Sequence, residues 1–67
     1  MRPALVTQRL VREANDEERD CLDVRWTPFL ARVGLCVVPA PSAADPVVLM
    51  DLLRPAALVL SGGNDLD

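Results

Sequence analysis

The chain has no histidine, lysine or tyrosine. Its 67 residues include only three glycines, two cysteines, one tryptophan and one phenylalanine. The missing histidine matters most. A serine or cysteine nucleophile normally needs an imidazole base, and none is available here. With no histidine, and with Cys21 and Cys36 not in Cys-x-x-Cys spacing, a Cys/His zinc site is excluded. No metal or cofactor is therefore expected. The missing lysines and a net charge of −3 argue against a nucleic-acid partner, which calls for a basic patch. No apolar run approaches the ~20 residues of a membrane span, so no membrane partner is expected. The apolar run Ala4-Leu5-Val6 is too short for a signal peptide. These features predict a cytoplasmic setting with both thiols reduced. Neither a P-loop nor a Gly-x-Gly-x-x-Gly fingerprint is present.

Hydrophobic residues make up 51% of the chain. That is rich for a domain so small that it buries only roughly 60% of its unfolded surface. The excess predicts apolar surface that another protein, or a second copy, would cover.

The stretch Ala57-Leu58-Val59-Leu60-Ser61-Gly62-Gly63-Asn64-Asp65 organises the rest. Its apolar run suits a strand buried on both faces of a parallel sheet. Paired glycines let the backbone turn N–H groups toward a ligand. Gly and Asn also serve a plain turn leaving a core strand.

Earlier in the chain, Ala4-Leu5-Val6 reads as a first buried strand with Thr7-Gln8-Arg9 at its carboxyl tip. Leu10 and Val11 either extend this strand or pack beneath the next segment. Arg12 to Asp20 is charge-dense and reads as a solvated loop, with a substrate-gating loop as the alternative. Asp20 is placed to cap a helix, with Asp23 three residues on. Leu22, Trp26, Phe29, Leu30 and Val33 recur at helical spacing. Pro28 interrupts them, so the segment is one kinked helix or a turn followed by a helix from Pro28. The continuous stripe favours the kinked helix, with Trp26 and Phe29 as core anchors and Gly34 as the terminator.

Leu35-Cys36-Val37-Val38 is a second strand, which makes Cys36 an inert core residue. Asp45-Pro46 opens a second helix with a Val48, Leu49, Leu52, Leu53 stripe, and Arg54-Pro55 stops it. The predicted class is α/β: a βαβαβ unit with parallel strands, the first strand central and the tip Thr7-Gln8-Arg9 near Ser61-Gly62-Gly63.

Leu58-Val59-Leu60-Ser61-Gly62-Gly63-Asn64-Asp65 resembles the Ser-Gly-Gly segment of class I glutamine amidotransferases, in the branch of γ-glutamyl hydrolases and γ-glutamyl-γ-aminobutyrate hydrolases. Thr7-Gln8-Arg9 is similar to that branch's first strand tip. Arg19-Asp20-Cys21-Leu22-Asp23-Val24-Arg25-Trp26 with Phe29-Leu30 is similar to its first helix, and Val37-Val38-Pro39 to its second strand. The resemblance spans nearly all 67 residues.

It implies the N-terminal portion of a flavodoxin-like doubly wound parallel sheet, acting on glutamine or a γ-glutamyl small molecule. In that family a cysteine on a strand-to-helix elbow attacks the γ-glutamyl amide, and a later histidine and acid complete the triad. A backbone N–H of the Ser-Gly-Gly segment helps hold the oxyanion. That role would fall to Gly63, or else Gly62, with Gln8, Arg9, Asn64 and Asp65 as substrate-binding residues. The elbow Gly-x-Cys-x-Gly and the histidine do not occur here, and Cys21 and Cys36 precede the Ser-Gly-Gly loop. The resemblance therefore implies a segment that is inactive alone. Hydrolase and ammonia-transferring activities stay open. Two other readings compete: a non-catalytic binding or assembly module completing a partner's sheet, and a small phosphate- or nucleotide-binding half-domain.

Overall fold

In the computed structural model, residues 1–61 are described. Three parallel strands form the central sheet: β1 (Arg2–Thr7), β4 (Leu35–Ala40) and β5 (Ala57–Val59). Two more, β2 (Arg9–Arg12) and β3 (Glu18–Cys21), form a separate antiparallel hairpin. The helices are α1 (Trp26–Ala31) and α2 (Pro46–Leu53). The fold is thus mixed α/β, with the sheet order β4-β1-β5 that the sequence predicts.

β1 is central because its apolar triplet has no polar face. Ala4, Leu5 and Val6 are all buried, and Leu5 and Val6 have the largest fully buried side chains. A run apolar on both faces has to be flanked on both sides. Its register runs from Arg2 opposite Leu35 to Thr7 opposite Ala40 on one side, and from Ala4 opposite Ala57 to Val6 opposite Val59 on the other. Residues two apart share a face. Ala4 and Val6 therefore meet Leu30 of α1, with Leu22, Trp26, Leu35, Val37, Ala57 and Val59 packed around them.

The opposite face is less covered. Cys36 is exposed, so it is not the core residue its mid-strand position suggests. The α2 stripe is not buried either. Leu49 is half-buried, but Val48 and Leu53 are exposed and Leu52 is 74% exposed. Likewise β5 is not buried on both faces, since Leu58 is 43% exposed.

The stretch predicted as a polar loop is the β2–β3 hairpin. Its strands carry charges where a half-buried strand would carry apolar residues, which hid them. Arg9 stands opposite Cys21, Leu10 opposite Asp20, Val11 opposite Arg19 and Arg12 opposite Glu18. Arg12 pairs with Glu18 at 2.6 Å across the ladder. The turn is built from side chains that bond their own backbone. Asn15 Oδ1 accepts the Glu17 N–H at 3.1 Å, and Asp16 adopts a left-handed φ of 68°.

Because residues 18–21 are strand, α1 cannot begin at Asp20. It starts at Trp26, after a turn organised by Asp23. The Asp23 carboxylate accepts the Arg25 N–H at 2.9 Å, and its carbonyl accepts the Trp26 N–H at 3.1 Å. Pro28 then lies in the first turn, where a missing N–H leaves no helical bond unmade, and no kink is needed. The shorter helix turns Trp26 and Leu30 inward and leaves Phe29 59% exposed, which corrects its predicted role as a core anchor. Gly34 ends the turn at φ 81°, a value that glycine adopts without a Cβ penalty.

α2 begins as its sequence indicates. Asp45 accepts the Val47 N–H at 2.9 Å and Pro46 takes the first helical position. It ends on Arg54, in the left-handed region at φ 46°. Pro39 lies on β4, an edge strand, where a residue without an N–H is tolerated. β5 forms the other edge and, among the described residues, pairs only with β1. No helix among the described residues is long and apolar enough to cross a membrane.

Candidate functional site

The carboxyl ends of β1 and β5 are tied together by one pair of side chains. The Ser61 N–H donates to Thr7 Oγ1 at 2.8 Å, and the Thr7 hydroxyl donates back to the Ser61 carbonyl at 3.1 Å. The Ser61 hydroxyl donates to the Thr7 carbonyl. Both residues immediately follow the apolar part of adjacent parallel strands, so the register places them side by side. This lock fixes where the chain leaves β5.

β1 connects onward to β4 on one flank, while β5 lies on the other. The crevice between the carboxyl ends of such strands is where open α/β sheets bind ligands. A cleft of about 380 Å³ opens there, lined by Arg9, Val11, Cys21, Leu22, Asp23, Trp26 and Ser61. That size is within the range of small-molecule sites. A separate depression of about 360 Å³ lies over Trp26 and Phe29, away from the strand ends.

Each wall of the cleft has a local cause. Arg9 and Val11 share one face of β2, and Cys21 is directly opposite Arg9, so all three project together. Trp26 is half-buried against the core and meets Phe29 edge-on, with ring centroids 5.7 Å apart. The hairpin is anchored to the sheet by Asp20, whose carboxylate accepts the Ser42 N–H at 3.0 Å just beyond β4. Hydrogen bonds from Ser42 hold the Asp20 carboxyl below its ordinary pKa. Asp23 is committed to Arg25, which contacts it through its backbone N–H and three times through its guanidinium, the shortest contact being 2.6 Å. These bonds lower the Asp23 pKa to about 2.

The residues predicted to bind substrate separate here. Arg9 lines the cleft. Gln8 instead donates from Nε2 to the Ala40 carbonyl at 2.9 Å, joining the β1 tip to the end of β4. Gly62, Gly63, Asn64 and Asp65 lie outside the described residues. Cys21 and Cys36 are both free and exposed. Among the described residues no group of histidine, cysteine or acidic side chains is arranged to hold a metal ion.

Sequence reasoning placed the Thr7-Gln8-Arg9 tip near Ser61 without foreseeing the hydrogen bonds that join Thr7 to Ser61; it read Asp20 as a helix cap, passed over Ser42 and gave Trp26 only a core role. The Thr7–Ser61 pair had a signal: two hydroxyl residues, each ending an apolar run on neighbouring strands. The Asp20–Ser42 bond had none, because it spans 22 positions and depends on the hairpin.

No protein-family model, curated protein or solved structure matches this chain.

Proposed function

We propose that this chain is the N-terminal βαβαβ portion of a flavodoxin-like domain of the class I glutamine amidotransferase type, in the γ-glutamyl hydrolase branch. In this reading the loop following Ser61 offers the N–H of Gly63, or of Gly62, to the oxyanion formed when a γ-glutamyl amide is attacked. Preorganised donors of this kind contribute about 3–4 kcal/mol each to the barrier. The attacking cysteine and its histidine come from protein beyond these 67 residues. Cys21 and Cys36 precede the Ser-Gly-Gly segment and do not occupy the nucleophile's place. Asn64 and Asp65 flank the site, and Arg9 faces the substrate. The reading carries a cytoplasmic setting.

The supporting observation is the Thr7–Ser61 lock, which holds Ser61 at the carboxyl end of β1, on the cleft that Arg9 also lines. The test compares hydrolysis of L-glutamine and γ-glutamyl amides by the 67-residue chain and by a form extended along its reading frame. Activity confined to the extended form, and lost when its elbow cysteine is replaced, supports the reading. Activity in the short chain, or none in either form, refutes it.

A second reading, a non-catalytic module that completes a partner's sheet, is favoured by the exposed apolar side chains of α2 and β5. It predicts stable association in sizing experiments and no hydrolysis by any form.

A further inference from the structure

The seven arginines divide by partner. Arg12, Arg19 and Arg25 are ion-paired: Arg12 to Asp16 and Glu18, Arg19 to Glu17, Arg25 to Asp23. Arg2, Arg9, Arg32 and Arg54 make no ion pair or side-chain hydrogen bond among the described residues. Arg9 lines the cleft. The other three gather at the opposite end of the sheet. Arg2 opens β1, Arg32 caps the carboxyl end of α1 and Arg54 that of α2. Backbone bonds draw these segments together: the Arg2 N–H donates to the Gly34 carbonyl at 3.1 Å, and the Ala56 N–H to the Pro3 carbonyl at 2.8 Å. Neighbouring strands are about 4.8 Å apart, so one short segment crossing this end passes all three arginines. Residues 1–3, 32–35 and 54–57 contain no acid, in a chain whose net charge is −3. The acid nearest in sequence, Asp51, lies one turn before Arg54 and makes no ion pair among the described residues. All three arginines are exposed, and Val33 and Leu53 are exposed beside them. A cation complements the last carbonyls of a helix, which suits Arg32 and Arg54. That does not account for Arg2, on a strand, or for the backbone at Arg54. Its left-handed φ of 46° is the conformation that glycine usually takes at a helix end.

We propose that the amino end of the sheet docks an acidic segment of a partner protein, with Arg2, Arg32 and Arg54 receiving its carboxylates and Val33 and Leu53 meeting apolar side chains between them. A guanidinium presents parallel N–H groups matched to a carboxylate's two oxygens, which an ammonium group cannot do, and this end is built from arginine alone. Single-stranded nucleic acid calls for aromatic platforms, and both aromatics of the chain, Trp26 and Phe29, are outside these segments. The charge complementarity and the exposed apolar pair therefore favour a carboxylate-bearing peptide over a polyphosphate. Docking here leaves the cleft at the far end of the sheet open, and it holds whether or not the amidotransferase reading does.

The experiment is a titration of the full chain against a short fluorescein-labelled peptide alternating glutamate with leucine, read by fluorescence polarisation. The comparison probes are the same peptide with glutamine for glutamate, tripolyphosphate as a competitor, and vesicles of phosphatidylcholine with phosphatidylserine. The acidic peptide is expected to bind saturably and its glutamine form not to bind. Arg54→Gly is the decisive variant. It relieves the left-handed backbone, so weaker binding by it does not come from unfolding. It should weaken binding about fivefold, the upper range for one exposed ion pair, and adding Arg2→Gln and Arg32→Gln should bring the loss to at least about fiftyfold. Arg19→Gln removes the same charge from the hairpin and should leave binding unchanged. Circular dichroism verifies that each variant keeps the fold. Unchanged binding by Arg54→Gly overturns the inference, as does an equal loss in Arg19→Gln or equal binding of the glutamine peptide. Tripolyphosphate or phosphatidylserine vesicles displacing the peptide at equal charge concentration also overturn it, by making this end a site for phosphates or for an anionic lipid surface. Self-association of the chain that the three arginine substitutions abolish overturns it in favour of a second copy as the occupant.

Discussion

Replacing Thr7 with valine isolates the lock between β1 and β5. The substitution keeps the β-branched shape and removes the hydroxyl. Two hydrogen bonds are lost: the one Thr7 Oγ1 accepts from the Ser61 N–H at 2.8 Å, and the one it donates to the Ser61 carbonyl at 3.1 Å. The bond from the Ser61 hydroxyl to the Thr7 carbonyl survives. Each lost bond contributes about 0.5–1.5 kcal/mol. Both residues are half-buried, so water reaches the orphaned groups and recovers part of the loss. The expected net cost is about 1–2 kcal/mol, from the lower half of the summed range. In a domain this small each kcal/mol lowers Tm by roughly 4–8 °C. Urea unfolding followed by circular dichroism measures the loss, and amide hydrogen exchange at Ser61 localises it. Thr7→Val should speed exchange there more than at Val6. Ser61→Ala, which keeps the Ser61 N–H, should cost less than Thr7→Val, and the double variant should cost less than the sum of the two. A Thr7→Val midpoint within about 0.3 kcal/mol of the unaltered chain, with Ser61 exchange unchanged, would refute the idea that this lock holds Ser61 against β1.

Two backbone positions should respond in opposite directions. Gly34→Ala places a Cβ in open space but at φ 81°, so it should destabilise by about 1–2 kcal/mol through backbone strain alone. Arg54→Gly removes the same kind of strain at φ 46° and should stabilise by about 0.5–1 kcal/mol. Urea midpoints check both. The Asp23 carboxyl should titrate in NMR near pH 2, because the Arg25 side chain and then its backbone N–H favour the charged form. A folded pKa below the unfolded one means that the contribution is complete above about pH 4 and fades as pH falls toward 2. Arg25→Ala should return Asp23 toward its ordinary value, and an unmoved midpoint would refute the assignment.

The parts of the fold legible in the sequence were those written in apolar runs. Ala4-Leu5-Val6, Leu35 to Val38 and Ala57 to Val59 are strands in the expected order, with the first in the centre. Asp45-Pro46 marked the α2 start correctly because capping chemistry is local. The hairpin was hidden because its ladder is held by charges such as Arg12 and Glu18 rather than by alternating apolar residues. The helical spacing from Leu22 to Val33 holds only in part: Leu22, Trp26 and Leu30 pack on the core, while Phe29 and Val33 are exposed. Arg9, which the resemblance placed at the β1 tip, begins β2 and lines the cleft. Trp26 as a wall was not legible, since it needs the hairpin to create the space it faces.

The two flanks of the sheet have unequal capacities. β4 carries a proline in its outer strand, and at that position an incoming strand finds no N–H to accept from. β5 contains no proline, and Leu58 stands 43% exposed beside its open rim, with Leu60 78% exposed just beyond. In the language of polymers the described sheet has one blunted rim and one open rim: Pro39 withdraws an N–H on the β4 side, while β5, among the described residues, has no strand beyond it.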